Sequence, residues 1–112
     1  MWIMIAGPFR SGARDDGERQ QRLDAMNRAA LEVFRLGHTP VIGVNMALPI
    51  IKVAGDASYD DIMMPISLAL TDRCDACLRI GGPSEGADRE VDRFIAARKP
   101  VYHDISELVA SN

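Results

Sequence analysis

An apolar run that leads directly into a glycine-rich turn does most to restrict the fold of this chain. Residues 76–80 have the pattern of a buried strand, and the turn after them contains Gly81, Gly82 and Gly86. A helical pattern follows, with Glu90 about one turn into it. Glycines between a strand and a helix let backbone N–H groups approach an anion or a sugar closely. The stretch therefore predicts a binding loop, with Ser84 as its hydroxyl and Glu90 as a nearby carboxylate.

Strand and helix patterns alternate along the whole chain. Apolar runs predict strands at residues 2–6, 39–43, 76–80 and 101–102. Apolar residues at helical spacing predict helices at 16–36 and about 58–73, a third that ends near Lys99, and a short one at 105–109. The first helix has a stripe that includes Val33 and Phe34, and Gly37 suits the residue just after its end.

Two parts of this pattern are less regular. Residues 44–58 predict at most a helical turn followed by a flexible loop at 55–57. The next helix has Ser58 as its expected N-cap, with Asp61 three residues later as an approximate capping box. Its apolar stripe is Ile62, Ile66, Ala69 and Leu70. Pro65 lacks an N–H, so it is expected either to kink this helix or to mark a later start.

The alternation implies parallel strands joined by right-handed crossovers. The predicted fold is a single domain, residues 1–112, with an α/β architecture. It is a small three-layer α/β/α sandwich, Rossmann- or flavodoxin-like, with a parallel sheet of four or five strands. The expected strand order is 2-1-3-4. Ligands of such sheets bind at the carboxyl ends of the strands where the order reverses, which here is between strands 1 and 3.

Composition restricts the class of protein and of partner. A chain of 112 residues with 47% hydrophobic and 26% charged residues is typical of one soluble globular domain. The net charge of −3 argues against binding to nucleic acid or to an anionic membrane. No apolar run approaches the roughly 18 residues that cross a bilayer. The apolar N-terminal run is too short for a secretory signal and has no basic leader, so a cytoplasmic location is expected.

The chain has two cysteines, Cys74 and Cys77, in a C-x-x-C arrangement. A redox pair of this kind normally lies at a helix N-terminus, whereas this one leads into a predicted strand. A zinc site would need two further ligands, and His38 and His103 are the only imidazoles. The pattern favours buried structural thiols, and no metal is expected.

Two loops should flank the crevice between strands 1 and 3. The first contains Gly7, Phe9, Arg10, Ser11 and Gly12, and the second contains Ser84 and Gly86. Neither is a dinucleotide fingerprint or a P-loop, which argues against a redox cofactor or an NTPase, so no cofactor is expected. Asp60 and Asp61, which follow strand 2, are expected on the same side. One Glu near one or two Asp residues suits chemistry at a glycosidic bond. The alternative is that Glu90 is simply a solvated helix residue beside common glycine turns.

Two segments carry a resemblance to a known family. Ile5-Ala6-Gly7-Pro8-Phe9 and Ser84-Glu85-Gly86-Ala87-Asp88-Arg89-Glu90 together resemble the nucleoside 2-deoxyribosyltransferase-like superfamily, which includes deoxynucleoside 5′-monophosphate N-glycosidases. The family's marks are an A-G-P-like turn after strand 1 and an S/D-x-G-x-x-x-E segment after a later strand. The similarity extends over essentially the whole chain in the order of its elements.

The resemblance implies a role for each matching position. Glu90 would be the nucleophile that attacks C1′ of the deoxyribose, and Ser84 and Gly86 would contact the sugar 5′ end or its phosphate. The first loop would hold the phosphate, with Arg10 as a charge-assisted donor. Asp61 or its neighbour Asp60 would assist proton transfer to the leaving base.

The resemblance further implies a small-molecule nucleoside or nucleotide as partner and a homo-oligomer. Family enzymes often complete the site with a residue near the C-terminus of a neighbouring subunit, where this chain has Ser111 and Asn112.

Three alternatives stay open at the level of sequence. Hydrolysis and transfer pass through the same intermediate and are not distinguished. A non-catalytic nucleotide or sugar-phosphate sensor would use the same crevice. A phosphoribohydrolase with a P-G-G-x-G-T-x-x-E motif is echoed by Gly81, Gly82, Gly86 and Glu90, but the glycine-to-Glu spacing differs and the chain is too short.

Overall fold

The computed structural model of this chain describes residues 1–111 and confirms the predicted α/β fold. Four parallel strands form one sheet in the order β2-β1-β3-β4, which is the predicted order. The regular elements, in chain order, are β1 (Trp2–Ala6), α1 (Asp16–Arg35), β2 (Thr39–Val41), α2 (Gly43–Ala54), α3 (Tyr59–Thr71), β3 (Ala76–Arg79), α4 (Glu85–Ala96) and β4 (Val101–Tyr102). Single 3₁₀ turns lie at Asp56–Ser58 and Ile105–Glu107.

The two faces of the sheet are covered by different helices because successive strand residues point to opposite sides. Ile3 and Ile5 of β1 pack with Leu23, Met26 and Val33 of α1 on one face. Met4 and Ala6 pack with Ala87 and Phe94 of α4 on the opposite face, and only the first β1 residue, Trp2, is exposed. Strand β1 is therefore buried on both sides, as its uninterrupted apolar run predicts.

The ends of α1 follow local capping rules. The Asp15 side chain accepts a hydrogen bond of 2.8 Å from the backbone N–H of Glu18, which satisfies a free donor of the first turn. At the other end Gly37 has a φ of 89°, so the predicted glycine after the helix is confirmed. Phe34, however, is 65% exposed, so it does not belong to the buried stripe of this helix.

The region between β2 and β3 differs from the prediction. Residues 43–54 form a three-turn helix, α2, and Gly43 begins this helix instead of ending β2. Pro49 lies inside it, and an apolar face formed by Ala47 and Ile51 packs on Met63 of α3. Packing between helices stabilises α2 in spite of its proline, and single-sequence propensity does not include that contribution.

Helix α3 also differs in detail from its predicted pattern. It runs without interruption through Pro65, and its buried face consists of Met63, Ser67 and Thr71 instead of the predicted isoleucine stripe. Ser58 precedes the helix as expected but makes no side-chain cap, so the predicted capping box is absent. The 3₁₀ turn at Asp56–Ser58 leads straight into the helix and replaces that cap.

Both cysteines are buried, in agreement with the structural role that their position predicts. Cys77 lies in β3, and Cys74 lies just before it. Burial raises the pKa of the Cys74 thiol to about 11 and that of Cys77 to about 12. His38 is also buried and is 3.0 Å from the N-terminal amine through Nδ1 and 2.7 Å from the carbonyl oxygen of Val109 through Nε2. These contacts give both ring nitrogens partners within the protein.

Within residues 1–111, none of the helices combines the length and the apolar character that crossing a bilayer requires.

Candidate functional site

A cavity of about 460 Å³ opens at the carboxyl ends of β1 and β3, where the strand order reverses. This volume lies within the range of about 300–1,000 Å³ that is usual for small-molecule sites. Both predicted loops contribute to its wall. The predicted site residues that line it are Gly7, Phe9, Arg10, Ser11, Asp60, Ser84, Gly86 and Glu90. Two others, Gly12 and Asp61, are exposed and are not among the lining residues.

Glycine is needed where the first loop leaves β1. A Cβ atom at Gly7 would lie 3.1 Å from Cγ1 of Ile80 and 3.2 Å from the Ile80 carbonyl oxygen, so the two loops approach each other closely here. The loop is also fixed from α1, because the Arg22 guanidinium donates to the carbonyl oxygens of Phe9, at 3.3 Å, and Ser11. These contacts hold the loop against the body of the protein.

The second loop ends in the N-terminus of α4. Ser84 is the N-cap residue, and its buried Oγ accepts a hydrogen bond of 3.1 Å from the backbone N–H of Ala87. Because the hydroxyl acts as acceptor in this cap, its own hydrogen remains available to a ligand. The cap therefore accounts for Ser84 structurally and still leaves one donor at the cavity wall.

Glu90 is the most unusual group in the cavity. Its side chain is 8% exposed, and burial raises its pKa to about 7, with the nearby Arg79 acting in the opposite direction. No hydrogen bond joins its carboxylate to another side chain in residues 1–111, and no fully buried side-chain oxygen or nitrogen there lacks a partner. Its oxygens therefore keep access to the cavity. The alternative that Glu90 is simply a solvated helix residue is not what the structure shows.

Arg79 braces the second loop. Its Nη1 donates to the Ile80 carbonyl oxygen, and its Nη2 donates to that of Gly82 at 2.8 Å. The same Nη2 lies 3.6 Å from Oδ1 of Asp88. This guanidinium holds the loop backbone, and its charge lowers the pKa of Glu90 by less than burial raises it.

Arg10 lies at the mouth of the cavity and is held from two sides. Its guanidinium carbon is 4.2 Å from the centre of the Tyr59 ring, a cation–π geometry. Its Nη1 is 3.5 Å from Oδ1 of Asp60, whose side chain is 92% exposed. Burial raises the pKa of the Tyr59 phenol. Arg10 itself is about half exposed, so it can reach an anion in the cavity without being desolvated first.

Several residues that line the cavity were not predicted from the sequence. Helices α2 and α3 supply Val44, Tyr59, Met63, Met64 and Ser67, and α4 adds Glu85, Ala87 and Arg89. Tyr59, Met63 and Ser67 recur every four residues, which is the spacing of one helical face. That signal was present in the sequence, but the isoleucines at 62 and 66 form a competing stripe of more apolar residues.

A metal site finds no support in the described residues. No three His, Cys, Asp or Glu side chains of residues 1–111 are grouped as metal ligands would be.

Comparison with known proteins does not assign this site. No protein-family model matches the chain, and no curated protein matches it significantly.

Proposed function

We propose that this protein cleaves or transfers the N-glycosidic bond of a nucleoside or its 5′-monophosphate. The observation that carries this proposal is Glu90, a buried carboxylate that lines a cavity at the switch point of a parallel sheet. Its raised pKa is typical of groups that act in catalysis. The S-x-G-x-x-x-E and A-G-P segments that resemble the deoxyribosyltransferase-like superfamily both lie at this cavity.

The proposed reaction has two steps. An ionised Glu90 oxygen forms a bond with C1′ while the bond from C1′ to the base nitrogen breaks, and the base leaves with the electron pair and takes up a proton. Water or a second base then attacks C1′ while the bond from C1′ to Glu90 breaks and its electron pair returns to the carboxylate, and the attacking group loses a proton to solvent. Water gives hydrolysis and a base gives transfer. Both outcomes belong to the proposal.

Asp60 is assigned, in preference to Asp61, as the carboxylate that assists transfer of a proton from solvent to the leaving base. Asp60 lines the cavity, whereas Asp61 is the next residue along α3 and is exposed outside the lining. Asp60 also contacts Arg10, so binding of a phosphate by Arg10 would release this carboxylate from its ion pair.

The 5′-phosphate is assigned to the mouth of the cavity. Arg10 supplies a charged donor there, Ser11 and Ser84 supply hydroxyls, and the N-terminus of α4 at Gly86 supplies backbone N–H groups. A phosphate is therefore expected to increase affinity over that for the bare nucleoside.

A second candidate function is a non-catalytic nucleotide sensor. The observation in its favour is that Asp60 is almost fully exposed and paired with Arg10, so among residues 1–111 no second carboxylate shares the buried environment of Glu90. A sensor would bind the same ligands in the same cavity without turning them over.

One experiment separates the two functions. Purified protein is incubated with deoxynucleosides and their 5′-monophosphates, with and without an acceptor base, and free base is separated and quantified. Base release that disappears in Glu90→Ala but persists in Asp92→Asn, an exposed carboxylate on the same helix, supports catalysis. Tight binding of a nucleotide without any base release would overturn the enzymatic proposal and favour the sensor.

We further propose that the chain forms a homo-oligomer through α2. Met46, Ile50 and Val53 recur at helical spacing on its outer side and are 52%, 47% and 91% exposed. A row of large apolar side chains on one helix face is a common feature of association surfaces. The same helix contributes Val44 to the cavity, so a neighbouring subunit bound there would lie near the site.

The C-terminal residues and the cellular location are also part of the proposal. Of the two C-terminal residues considered for completing a neighbouring site, Asn112 lies outside the described residues and Ser111 is exposed. A cytoplasmic location fits nucleotide substrates and the two unpaired thiols, Cys74 and Cys77.

A further inference from the structure

Ser67 is a buried hydroxyl with almost no internal partner. It lies in the middle of α3, is 3% exposed, and contributes to the cavity wall. Its Oγ approaches the thioether sulfur of Met63 at 3.9 Å. A thioether is a weak acceptor, so the hydroxyl retains nearly all of its capacity to form hydrogen bonds. Buried hydroxyls in proteins are normally bonded to stronger acceptors, so this weak contact at a cavity wall leaves a donor that a ligand can use.

The N-terminus of α2 meets α3 at this hydroxyl. A Cβ atom at Gly43, the first residue of α2, would lie 3.0 Å from Cβ of Ser67 and would overlap its Oγ. No side chain caps this end of α2, and no acidic residue lies in its first turn. Free backbone N–H groups and the positive end of the helix dipole therefore lie beside the Ser67 hydroxyl.

The walls around these donors are apolar and polarisable. Val44, the residue after Gly43, lines the cavity, and Met63 and Met64 line it from α3. Thioethers make favourable contacts with aromatic rings at the ring edge. The chemistry of this part of the cavity suits a planar heteroaromatic ring with hydrogen-bond acceptors on its edge.

We infer that Ser67 is a specificity-determining residue that donates a hydrogen bond to the nucleobase of the substrate, at a ring nitrogen or carbonyl oxygen. The inference rests on the proposed function and extends it by placing the base against α2 and α3, away from Arg10 at the mouth. When the bond from C1′ to the base nitrogen breaks, its electron pair passes to the base. A donor aimed at the base stabilises the charge that develops there.

The test measures binding separately from turnover. Isothermal titration calorimetry compares wild type, Ser67→Ala and the matched control Ser106→Ala, whose side chain is exposed outside the cavity. The ligands are adenine, hypoxanthine, cytosine and thymine as free bases, and 2-deoxyribose 5-phosphate. Ser67→Ala is expected to weaken the preferred base roughly fivefold to tenfold, the effect of one lost hydrogen bond. Binding of 2-deoxyribose 5-phosphate should stay unchanged, because a general disturbance of the fold would weaken both ligands.

Three results would overturn the inference: no base binds the wild type, Ser67→Ala leaves base affinity unchanged, or it weakens base and sugar phosphate alike. Failure of the proposed function looks different. Absence of base release from every nucleotide would refute catalysis, while a Ser67-dependent base affinity would still place the base here. Base release with a base affinity that is independent of Ser67 would refute this inference alone.

Discussion

Gly81 lies directly against the ring of Pro8 and thereby joins the two loops of the cavity. A Cβ atom at Gly81 would stand 2.7 Å from Cδ of Pro8 and 3.0 Å from its Cγ. Gly81 also has a φ of 76°, in the left-handed region that favours glycine. The first glycine of the second loop is therefore fixed by both conformation and space. The loops that carry Arg10 and Ser84 are coupled through this contact.

Replacing Gly81 by Ala is expected to destabilise the protein and to weaken ligand binding together. The left-handed conformation costs an alanine roughly 1–2 kcal/mol, and the clash with Pro8 adds to that. Denaturant unfolding measures the first effect, and titration with a nucleoside monophosphate measures the second. Gly82→Ala is the matched control, since a Cβ there meets nothing within 4 Å. Equal effects of the two substitutions would show that the contact with Pro8 does not couple the loops.

Glu90→Gln is expected to stabilise the fold at alkaline pH. The pKa of Glu90 is raised from 4.5 to about 7, so the folded state binds more protons than the unfolded state between these two values. The free energy of unfolding of the wild type therefore falls as the pH rises from 4.5 to 7 and is constant above that, as far as Glu90 contributes. The contribution of Glu90 to this fall in the free energy of unfolding is about 3 kcal/mol. The glutamine variant lacks this loss, so its advantage over wild type should grow across the same window.

The comparison is made by urea unfolding at pH 4.5, 6 and 8. Asp92→Asn serves as the control, since Asp92 is an exposed carboxylate on the same helix and should show no advantage that grows with pH. A Glu90→Gln variant whose stability tracks that of the wild type at all three pH values would show that Glu90 is not desolvated.

The same titration should appear in the kinetics, with the opposite consequence. A nucleophile has to be ionised, so kcat/KM should rise with pH and reach a plateau above about 7, the pKa to which burial raises Glu90. Stability and activity would then respond to pH in opposite directions through one group. A rate that falls over this range would indicate that Glu90 acts as a general acid and does not attack C1′.

The sheet and the position of the cavity were predictable because their signals are local. The uninterrupted apolar run of β1 predicts a buried strand, and the glycines after β3 predict a turn. Each of these patterns is contained within a few residues. Parallel strands then force their carboxyl ends to one edge, which brings Gly7 and Ser84 together without any knowledge of packing. The position of Glu90 near the same edge follows because it lies only about one turn into α4.

Helix α2 was not predictable in the same way. Its proline and its glycine start argue locally against a helix, and the packing of Ala47 and Ile51 on Met63 that stabilises it is tertiary. The cavity wall formed by α2 and α3 was missed for that reason, and Ser67 with it. The exposed position of Asp61 likewise depends on the rotation of α3 about its axis, which the competing isoleucine stripe obscures.

Cys74 and Cys77 are expected to resist alkylation in the folded protein. With thiol pKa values raised to about 11 and 12 by burial, only about one Cys74 thiol in a thousand is ionised at pH 8. Iodoacetamide labelling followed by mass spectrometry should show both thiols unmodified in buffer and both modified in urea. A Ser106→Cys variant provides an exposed thiol that should react in either condition. Rapid labelling of Cys77 in buffer would contradict its burial in β3.

The proposed oligomer can be tested by placing one charged side chain on the apolar face of α2. Val53 is 91% exposed in the isolated chain, and Ile50 lies one turn before it. If a second copy covers this face, Ile50→Asp buries an unpaired carboxylate in the interface, and light scattering after size exclusion should show a monomer. Ile95→Asp makes the same change at an exposed apolar position of α4 and should leave the mass of the oligomer unchanged. If the neighbouring subunit completes the cavity, the monomeric Ile50→Asp variant should also lose base release, because α2 carries both the apolar face and Val44.

A wild-type protein that is monomeric at every concentration would refute the interface. A monomeric variant with full base release would show that each cavity is complete within one chain.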